Sequence, residues 1–149
     1  MSDNAAWLNV ESQKDIDSLL EEYYGFHDAC IVSVQYISGA SVDDIGTMHY
    51  SKENSCLIIR FDSQMPSFNK RPEKKTLELK FSGLRRMNLI GIQDNYFCDI
   101  SSCYLEFYQN HIIWSDNDWF DPLKYSEDKL LQEPMDTFVI ADHLAWRFV

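Results

Sequence analysis

Several features that identify common classes of protein are missing from this sequence. Its five glycines are isolated from one another, so it contains neither a glycine-rich phosphate loop nor a Gly-x-Ser-x-Gly turn. No stretch approaches the ~20 consecutive apolar residues that a membrane-spanning helix requires. The first ten residues lack the basic start and apolar segment of a secretory signal. These absences predict a cytoplasmic protein without a membrane partner and give little support to nucleophilic catalysis.

The four cysteines form no recognisable metal or redox motif. Cys30, Cys56, Cys98 and Cys103 include no Cys-x-x-Cys pair, so the common zinc and thioredoxin spacings are absent. Three of them lie in or beside runs of strand-forming residues, where a reduced cysteine behaves as a small apolar side chain. We expect reduced cysteines, with a disulfide or a reactive thiol as the alternatives.

Length and composition predict one folded domain. The chain has 149 residues, of which 45% are apolar and 14% aromatic. That length supports one domain with a core and is too short for two. No internal repeat or low-complexity tract divides the sequence, so we expect a single domain over residues 1–149.

Charge is distributed unevenly along the chain. The net charge is −11, but residues 66–86 contain seven basic and two acidic side chains, or +5. The other 128 residues therefore hold six basic and 22 acidic side chains, or −16. Such a field repels nucleic acid and attracts a basic protein partner. Solubility alone is the alternative explanation.

One amphipathic helix is predicted near the N-terminus. Ser12 and Asp15 have the spacing of a capping box. The apolar residues that follow recur at helical spacing, namely Ile16, Leu19, Leu20 and Tyr23. Gly25 is suited to the left-handed conformation that ends a helix, and Phe26 can fold back onto the last turn. We expect a helix over residues 13–24.

Alternating apolar residues predict strands through the rest of the chain. Val32, Val34 and Tyr36 indicate a strand over 29–38. Residues 39–46 have the composition of a loop. A short strand at 46–50 is expected to form a hairpin with the sequence CLIIRF that begins at Cys56. On that second strand three residues share one face: Leu57, Ile59 and Phe61.

The clearest half-exposed strand is TLELKF, which begins at Thr76. Its predicted inward residues are Leu77, Leu79 and Phe81, and its outward residues are Thr76, Glu78 and Lys80. A proline-bearing loop at 63–74 precedes it. Gly83 interrupts the pattern, and we expect a bend there followed by another short strand.

The C-terminal third predicts a tight hairpin and a last strand. Gln109 and Asn110 separate CYLEFY from HIIW, and a two-residue connection with asparagine suits such a turn. Residues 115–136 form an acidic segment with one helical turn expected at 126–131, and the remainder predicts one long or broken strand. The resulting fold class is α+β: a curved antiparallel sheet of six to eight strands with one N-terminal helix packed on it.

His27 and Asp28 lie at the corner between the helix and the first strand. An imidazole beside a carboxylate can bind a metal or act as a general base. Adjacent residues of an extended chain point to opposite sides, however, which favours a structural corner over a joint site. The other histidines, His49, His111 and His143, are scattered without ligand spacing. We expect no metal and no cofactor.

The segment SDNDWFD and the tryptophan before it mix aromatic and acidic side chains. It fails the calcium-loop pattern, because Phe120 stands at a ligand position and the required glycine is missing. Large apolar anchors beside charges are typical of a protein-binding hot spot. The predicted partner-binding residues are Trp114, Asp116, Asp118, Trp119, Phe120 and Asp121. Burial of the aromatic residues in the core is the alternative.

The order of these segments resembles one protein family. The acidic helix, GFHDACIVSVQY, CLIIRF, TLELKFSGL and a terminal strand with a late aromatic residue are similar to the small β-rich immunity proteins of bacterial polymorphic toxin systems. The resemblance covers roughly residues 20–90 and the final strand. It implies tight binding and neutralisation of one cognate toxin without catalysis, and it assigns no contact residues.

Composition and resemblance together predict a non-enzymatic protein-binding module. The most concrete form is an immunity-type inhibitor whose acidic surface covers a basic toxin, with a nuclease as the expected class. One alternative is an enzyme or small-ligand-binding domain with His27, His111 or His143 in a concave pocket of the sheet. Another is an accessory subunit of a larger assembly.

Overall fold

A curved, open antiparallel sheet dominates the molecule and confirms the predicted α+β class. The computed structural model describes residues 5–66, 71–91, 98–125 and 136–149. Its elements are β1 Leu8–Val10, α1 Gln13–Glu22, β2 Ala29–Ile37, β3 Ala40–Val42, β4 Met48–Tyr50, β5 Cys56–Met65, β6 Glu73–Asn88, β7 Tyr104–Tyr108, β8 His111–Ser115 and β9 Phe138–Phe148. Seven strands form the main sheet, in the order β2, β5, β6, β9, β8 and β7, with β1 beside β9.

The helix forms where the sequence predicts it. Ser12 and Asp15 make a complete capping box, because Asp15 N donates to Ser12 Oγ (3.3 Å) and Ser12 N donates to Asp15 Oδ2 (2.9 Å). After Glu22 the chain turns through Gly25, which has a φ of 62°. Phe26 then folds back, and its ring centroid lies 5.0 Å from that of Tyr23. Both predicted features of this corner are confirmed.

One face of the sheet, here termed the helix face, forms the core beneath α1. The predicted inward residues of β5 and β6 are fully buried there, together with Ile16, Leu19 and Tyr23 of the helix and its cap. Antiparallel register places Leu79 between Ile59 and Trp146, so three adjacent strands present one continuous apolar layer. The opposite face, here termed the outer face, carries Arg60, Glu78 and Arg147 at its centre, and a second, smaller apolar cluster that includes Ile113 and Phe138.

The predicted hairpin between residues 46–50 and CLIIRF is wrong. β4 pairs with β3, which lies within the segment predicted to be a loop, and the two form a separate two-stranded sheet. β5 instead lies between β2 and β6. The physical reason is burial, since the apolar face of β5 needs a long strand on each side to be excluded from water.

Gly83 bends a strand without ending it. β6 runs through this position as one strand, and the register with β9 shifts between Leu84 and Arg86. Gly83 has a φ of 64°, and a Cβ atom there would lie 2.7 Å from Asp142 Oδ2. The predicted bend is therefore confirmed, whereas the predicted second short strand is the continuation of β6.

Some of the predictions for the C-terminal third are confirmed, and one falls on residues that the structure does not describe. The tight turn is confirmed, because Gln109 and Asn110 both have positive φ between β7 and β8. The last strand is one long element, β9, and the three-residue strand β1 beside it was not predicted. The helical turn predicted at 126–131 lies outside the described residues. Within the described part of the chain, no helix has the length and apolarity needed to cross a bilayer.

Candidate functional site

The six predicted partner-binding residues do not form one surface. Trp114 is fully buried, with its ring centroid 5.2 Å from Phe61, and Phe120 is buried against Phe138 at 5.2 Å. Neither can contact a partner in this conformation, so this part of the prediction is wrong. Trp119 is 86% exposed and Asp118 is also exposed. Of the six predicted residues, the exposed ones are therefore Asp118 and Trp119.

The two other carboxylates of that loop stabilise its backbone. Asp116 Oδ1 accepts a hydrogen bond from Thr137 N (3.1 Å), which connects the end of β8 to the start of β9. Asp121 Oδ1 accepts one from Leu123 N (3.0 Å). Carboxylates that accept backbone N–H groups are typical of turns. Their contribution is to the shape of the loop that presents Trp119.

His27 and Asp28 meet, contrary to the argument from sequence. His27 Nδ1 lies 3.0 Å from Asp28 Oδ2, and both side chains are about half exposed. The reason is the φ of 58° at Asp28, because a left-handed residue turns adjacent side chains toward the same side where an extended one separates them. Asp28 N also donates to Ile100 O at 2.9 Å. The corner thus also brings an imidazole and a carboxylate together at the surface.

This corner borders an acidic depression. Its lining includes Asp28, Asp62, Glu73 and Asp99, with Lys74 as the basic residue among them. Lys74 Nζ lies 3.3 Å from Asp62 Oδ2. Four carboxylates against one amine leave a local excess of negative charge. The described residues of the depression therefore contribute to an acidic surface.

The other histidines lie on different elements, and His111 and His143 are both beside Asp142. His49 Nε2 lies 2.7 Å from Asp43 Oδ2, whereas His111 Nδ1 lies 3.2 Å from Asp142 Oδ1. His143 borders a surface depression beside Asp142. Among the described residues, no group of three or more histidine, cysteine, aspartate or glutamate side chains could hold a metal ion.

The acidic residue Glu78, which lies within the basic segment at 66–86, forms ion pairs on the outer face with arginines from outside that segment. Glu78 is 6% exposed, because Arg60 and Arg147 cover it from the two neighbouring strands with N–O distances of 2.8 Å. Burial alone would raise the pKa of Glu78, but hydrogen bonds from both arginines outweigh it and hold that pKa below its ordinary value. Glu78 thus faces outward as predicted but is covered by its partners.

A second carboxylate on the outer face, that of Asp142, contacts two cationic groups and one imidazole. Asp142 contacts Arg85 Nε (2.8 Å), Lys52 Nζ (3.3 Å) and His111 Nδ1 (3.2 Å). Burial opposes ionisation of Asp142, yet the bonds from Arg85 and Lys52 hold its pKa below the ordinary value. Within the basic segment at 66–86, Arg85 is therefore paired with Asp142 and Lys74 with Asp62.

The densest group of exposed apolar side chains lies in residues 32–50, for which no binding role was predicted. Apart from Gly39, every residue in this range is exposed. It contains eight exposed large apolar residues: Val32, Val34, Tyr36, Ile37, Val42, Ile45, Met48 and Tyr50. Large exposed apolar patches mark interaction sites. Residues 38–51, here termed the arm, carry four of the eight.

The arm is an amphipathic hairpin. Its cross-strand partners are Ala40 with Tyr50, Ser41 with His49, and Val42 with Met48. Because side chains alternate between the faces of a strand, Val42, Met48 and Tyr50 share one face, and Ser41 and His49 share the other. Val42 is 62%, Met48 78% and Tyr50 70% exposed. The apolar face of the arm is therefore open to solvent.

Asp43 organises the turn at the tip of the arm. Its Oδ1 accepts hydrogen bonds from Ile45 N (3.1 Å) and Thr47 N (2.9 Å), and Gly46 supplies a φ of 83°. The hydrogen bond with His49 Nε2, followed by that from Thr47 N, holds the pKa of Asp43 below its ordinary value. The turn is well defined, and it leaves Ile45 87% exposed.

A cleft of about 300 Å³ lies beside β2, and the residues that line it include Ile31, Val34, Ile90, Cys98 and Asp116. None of the histidines predicted for a ligand pocket lines it. All four cysteines are free, and burial is the main cause that raises the pKa of the Cys103 thiol to about 12. The histidines on which the enzyme alternative depends therefore lie away from this cleft.

Comparisons with known proteins add no family to this geometry. No family model, no curated protein and no solved structure matches the chain. The functional argument therefore depends on the surface itself.

Proposed function

We propose that this chain is a non-enzymatic protein-binding module, an immunity-type inhibitor that neutralises a basic toxin through its arm and the acidic surface around it. The observation that supports the proposal most strongly is the solvent-exposed apolar face of the arm. The resemblance of the sequence to bacterial immunity proteins points to the same class of activity.

The apolar face of the arm contributes little to stability while it is exposed to solvent, and it would contribute binding free energy if a partner covered it. A two-stranded hairpin on its own is marginally stable in water and normally needs a further strand or a packed face. Here β3 and β4 pair only with each other among the described strands. If a partner covers Ile45 and Met48, burial of each fully covered side chain contributes roughly 1.5–3 kcal/mol to the binding free energy.

Charge selects a basic partner for this surface. The arm contains two acidic residues, Asp43 and Asp44, and no lysine or arginine. The whole chain carries a net charge of −11, and two basic residues of the 66–86 segment, Lys74 and Arg85, pair with carboxylates of the chain. Apolar anchors surrounded by one sign of charge give affinity through the anchors, while the charge accelerates encounter and rejects wrong partners.

The test is a capture experiment with matched variants. The immobilised chain is exposed to lysate of the source organism and washed at rising salt, and the retained proteins are identified by mass spectrometry. Ile45→Asp and Met48→Asp should lose a basic, stoichiometric partner that the parent chain retains. Leu123→Asp, which changes a 58% exposed leucine outside the arm, is the control and should retain it.

The inhibitor part of the proposal needs a second measurement. The captured protein is purified, and its nuclease activity is followed with and without the chain. Stoichiometric loss of activity supports immunity-type inhibition. The proposal would be contradicted if both arm variants captured the same protein as the parent chain. It would also be contradicted if the chain left the activity of the captured protein unchanged.

A further inference from the structure

Two cysteines line the acidic depression beside the corner formed by His27 and Asp28. Cys30 lies on β2 and is partly buried, whereas Cys98 is exposed. Both thiols are free in this structure. The two residues are far apart in the sequence, so it is the fold that brings them to one depression.

Backbone hydrogen bonds hold together the two chain segments that carry these cysteines. Ile100 N donates to Ala29 O (2.7 Å) and Asp28 N donates to Ile100 O (2.9 Å), within an antiparallel bridge between Ala29 and Ile100. In an antiparallel pair, the residues that follow one partner run beside those that precede the other. Cys30 comes directly after Ala29, and Cys98 comes shortly before Ile100. The two cysteines therefore lie on the same side of this bridge.

The electrostatic surroundings of Cys30 agree with this proximity. Burial is the largest cause that raises the pKa of its thiol, negative charge on Cys98 is the second, and the carboxylate of Asp62 adds to both. Charge on one sulfur acts on the other in this way only over a short distance. The other charged residues that line the depression are Asp28, Glu73, Lys74 and Asp99. Cys30 is thus a weak nucleophile at neutral pH, while Cys98 is the sulfur that a reagent in solution reaches first.

We propose that Cys98 and Cys30 form a reversible intramolecular disulfide when the chain meets a small disulfide oxidant such as oxidised glutathione. The Cys98 thiolate attacks one sulfur of the oxidant, which forms a mixed disulfide and releases one glutathione. The Cys30 thiolate then attacks the Cys98 sulfur, which forms the intramolecular bond and releases the second glutathione. Two electrons pass from the cysteines to the oxidant, and the two thiol protons end on the released glutathiones. An excess of reduced glutathione reverses both steps.

The other two cysteines are placed away from this reaction. Cys56 is opposite Ile37, at the far end of β2 from Cys30. Burial raises the pKa of the Cys103 thiol to about 12, which leaves very little reactive thiolate at neutral pH. The folded chain should therefore select the pair Cys30 and Cys98. Neither residue belongs to the arm, so the disulfide does not depend on the proposed inhibitor function.

Oxidation followed by peptide mapping tests the disulfide. The full chain is incubated with oxidised glutathione at pH 8, the remaining thiols are blocked with an alkylating reagent, and the digest is analysed by mass spectrometry. We expect the peptides of Cys30 and Cys98 to be joined, at a rate that does not depend on protein concentration. Conversion of the mixed disulfide to the intramolecular bond should be about tenfold faster at pH 8 than at pH 7, because the fraction of Cys30 thiolate increases by that factor.

Serine variants assign the two steps. Cys30→Ser should leave Cys98 as a stable mixed disulfide with one glutathione, and Cys98→Ser should leave Cys30 largely as a thiol. Cys56→Ser is the control and should form the bond at the rate of the parent chain. In concentrated urea the parent chain should give a mixture of pairings, because the fold no longer selects one.

Three results would overturn the proposal. The first is a mixed disulfide on Cys98 of the parent chain that never converts to a bond with Cys30. The second is a bond between the Cys98 residues of two chains. The third is the same selective pairing in urea as in the folded chain, since the geometry of the fold would then not be its cause.

Discussion

Glu78 on the outer face should be the most important single charge for the stability of the sheet. It joins β5, β6 and β9, because Arg60 Nε and Arg60 Nη2 donate to its Oε1 (3.2 and 2.8 Å) while Arg147 Nε donates to its Oε2 (2.8 Å). Glu78→Gln keeps the size of the side chain and removes its charge. Two guanidinium groups then lose their shared carboxylate.

The exposure of the two arginines sets the expected magnitude. Removing one partner of a buried ion pair costs about 3–5 kcal/mol. The side chains of Arg60 and Arg147 are 45% and 22% exposed, so water solvates part of the released charge. We therefore expect a loss of about 2 kcal/mol in the free energy of unfolding. For a domain of this length, that loss lowers the Tm by about 4–8 °C.

The loss should depend on pH in one direction. The folded-state pKa of Glu78 lies below its ordinary value of 4.5, so the ionised form contributes stability that is fully present above about pH 4.5. This stability disappears as the pH falls through the folded-state pKa. The difference in stability between the parent chain and Glu78→Gln should therefore be largest near neutral pH and shrink in acid.

Urea unfolding at a series of pH values measures this difference. Glu22→Gln, at an exposed position of α1, makes the same chemical change without a covered ion pair and should alter stability by less than about 0.5 kcal/mol. An equal, small effect of both substitutions at neutral pH would refute the assigned role of Glu78. A difference that grows in acid would refute the sign of its pKa shift.

Three further substitutions and one labelling experiment test other parts of the structure. Gly83→Ala should destabilise the fold by about 1–3 kcal/mol in urea unfolding, because the residue has positive φ and its Cβ would meet Asp142. Trp114→Ala should cost about 3–5 kcal/mol as a buried aromatic truncation, whereas Trp119→Ala should cost less than about 0.5 kcal/mol. The Cys103 thiol has a pKa of about 12, so it should react with a thiol reagent at pH 8 only after the chain unfolds. The number of thiols that have reacted is measured by absorbance.

Local signals predicted the elements that were placed correctly. The capping box of α1 and the Gln109–Asn110 turn each depend on a few adjacent residues whose preferences are strong. The alternation in β5 and β6 also identified the residues that became the core. These predictions succeeded because neighbours in sequence determine the geometry concerned.

The arm was missed because its strands are short. β3 and β4 have three residues each, and the Asp43–Gly46 turn between them has loop-like composition. The alternation of Val42, Met48 and Tyr50 with polar neighbours was the available signal. Their exposure, in contrast, depends on how the rest of the chain packs and could not be read from the sequence.

The aromatic residues near 114–121 show the same limit. Tryptophan and phenylalanine are frequent both in cores and in hot spots, so composition could not separate Trp114 from Trp119. The spacing of Ile112 and Trp114 on one side of β8 was the signal that favoured burial. At His27 the missing information was the left-handed conformation of Asp28.

The most direct test of the central claim is the affinity of the captured basic partner for arm variants. Isothermal titration compares the parent chain with an Ile45→Asp, Met48→Asp double variant, with Leu123→Asp as the control. Covering side chains that are 87% and 78% exposed supplies roughly 2.5 kcal/mol or more, so the double variant should bind about 50-fold more weakly. Affinity unchanged from the parent chain would contradict the assignment of the arm as the binding surface.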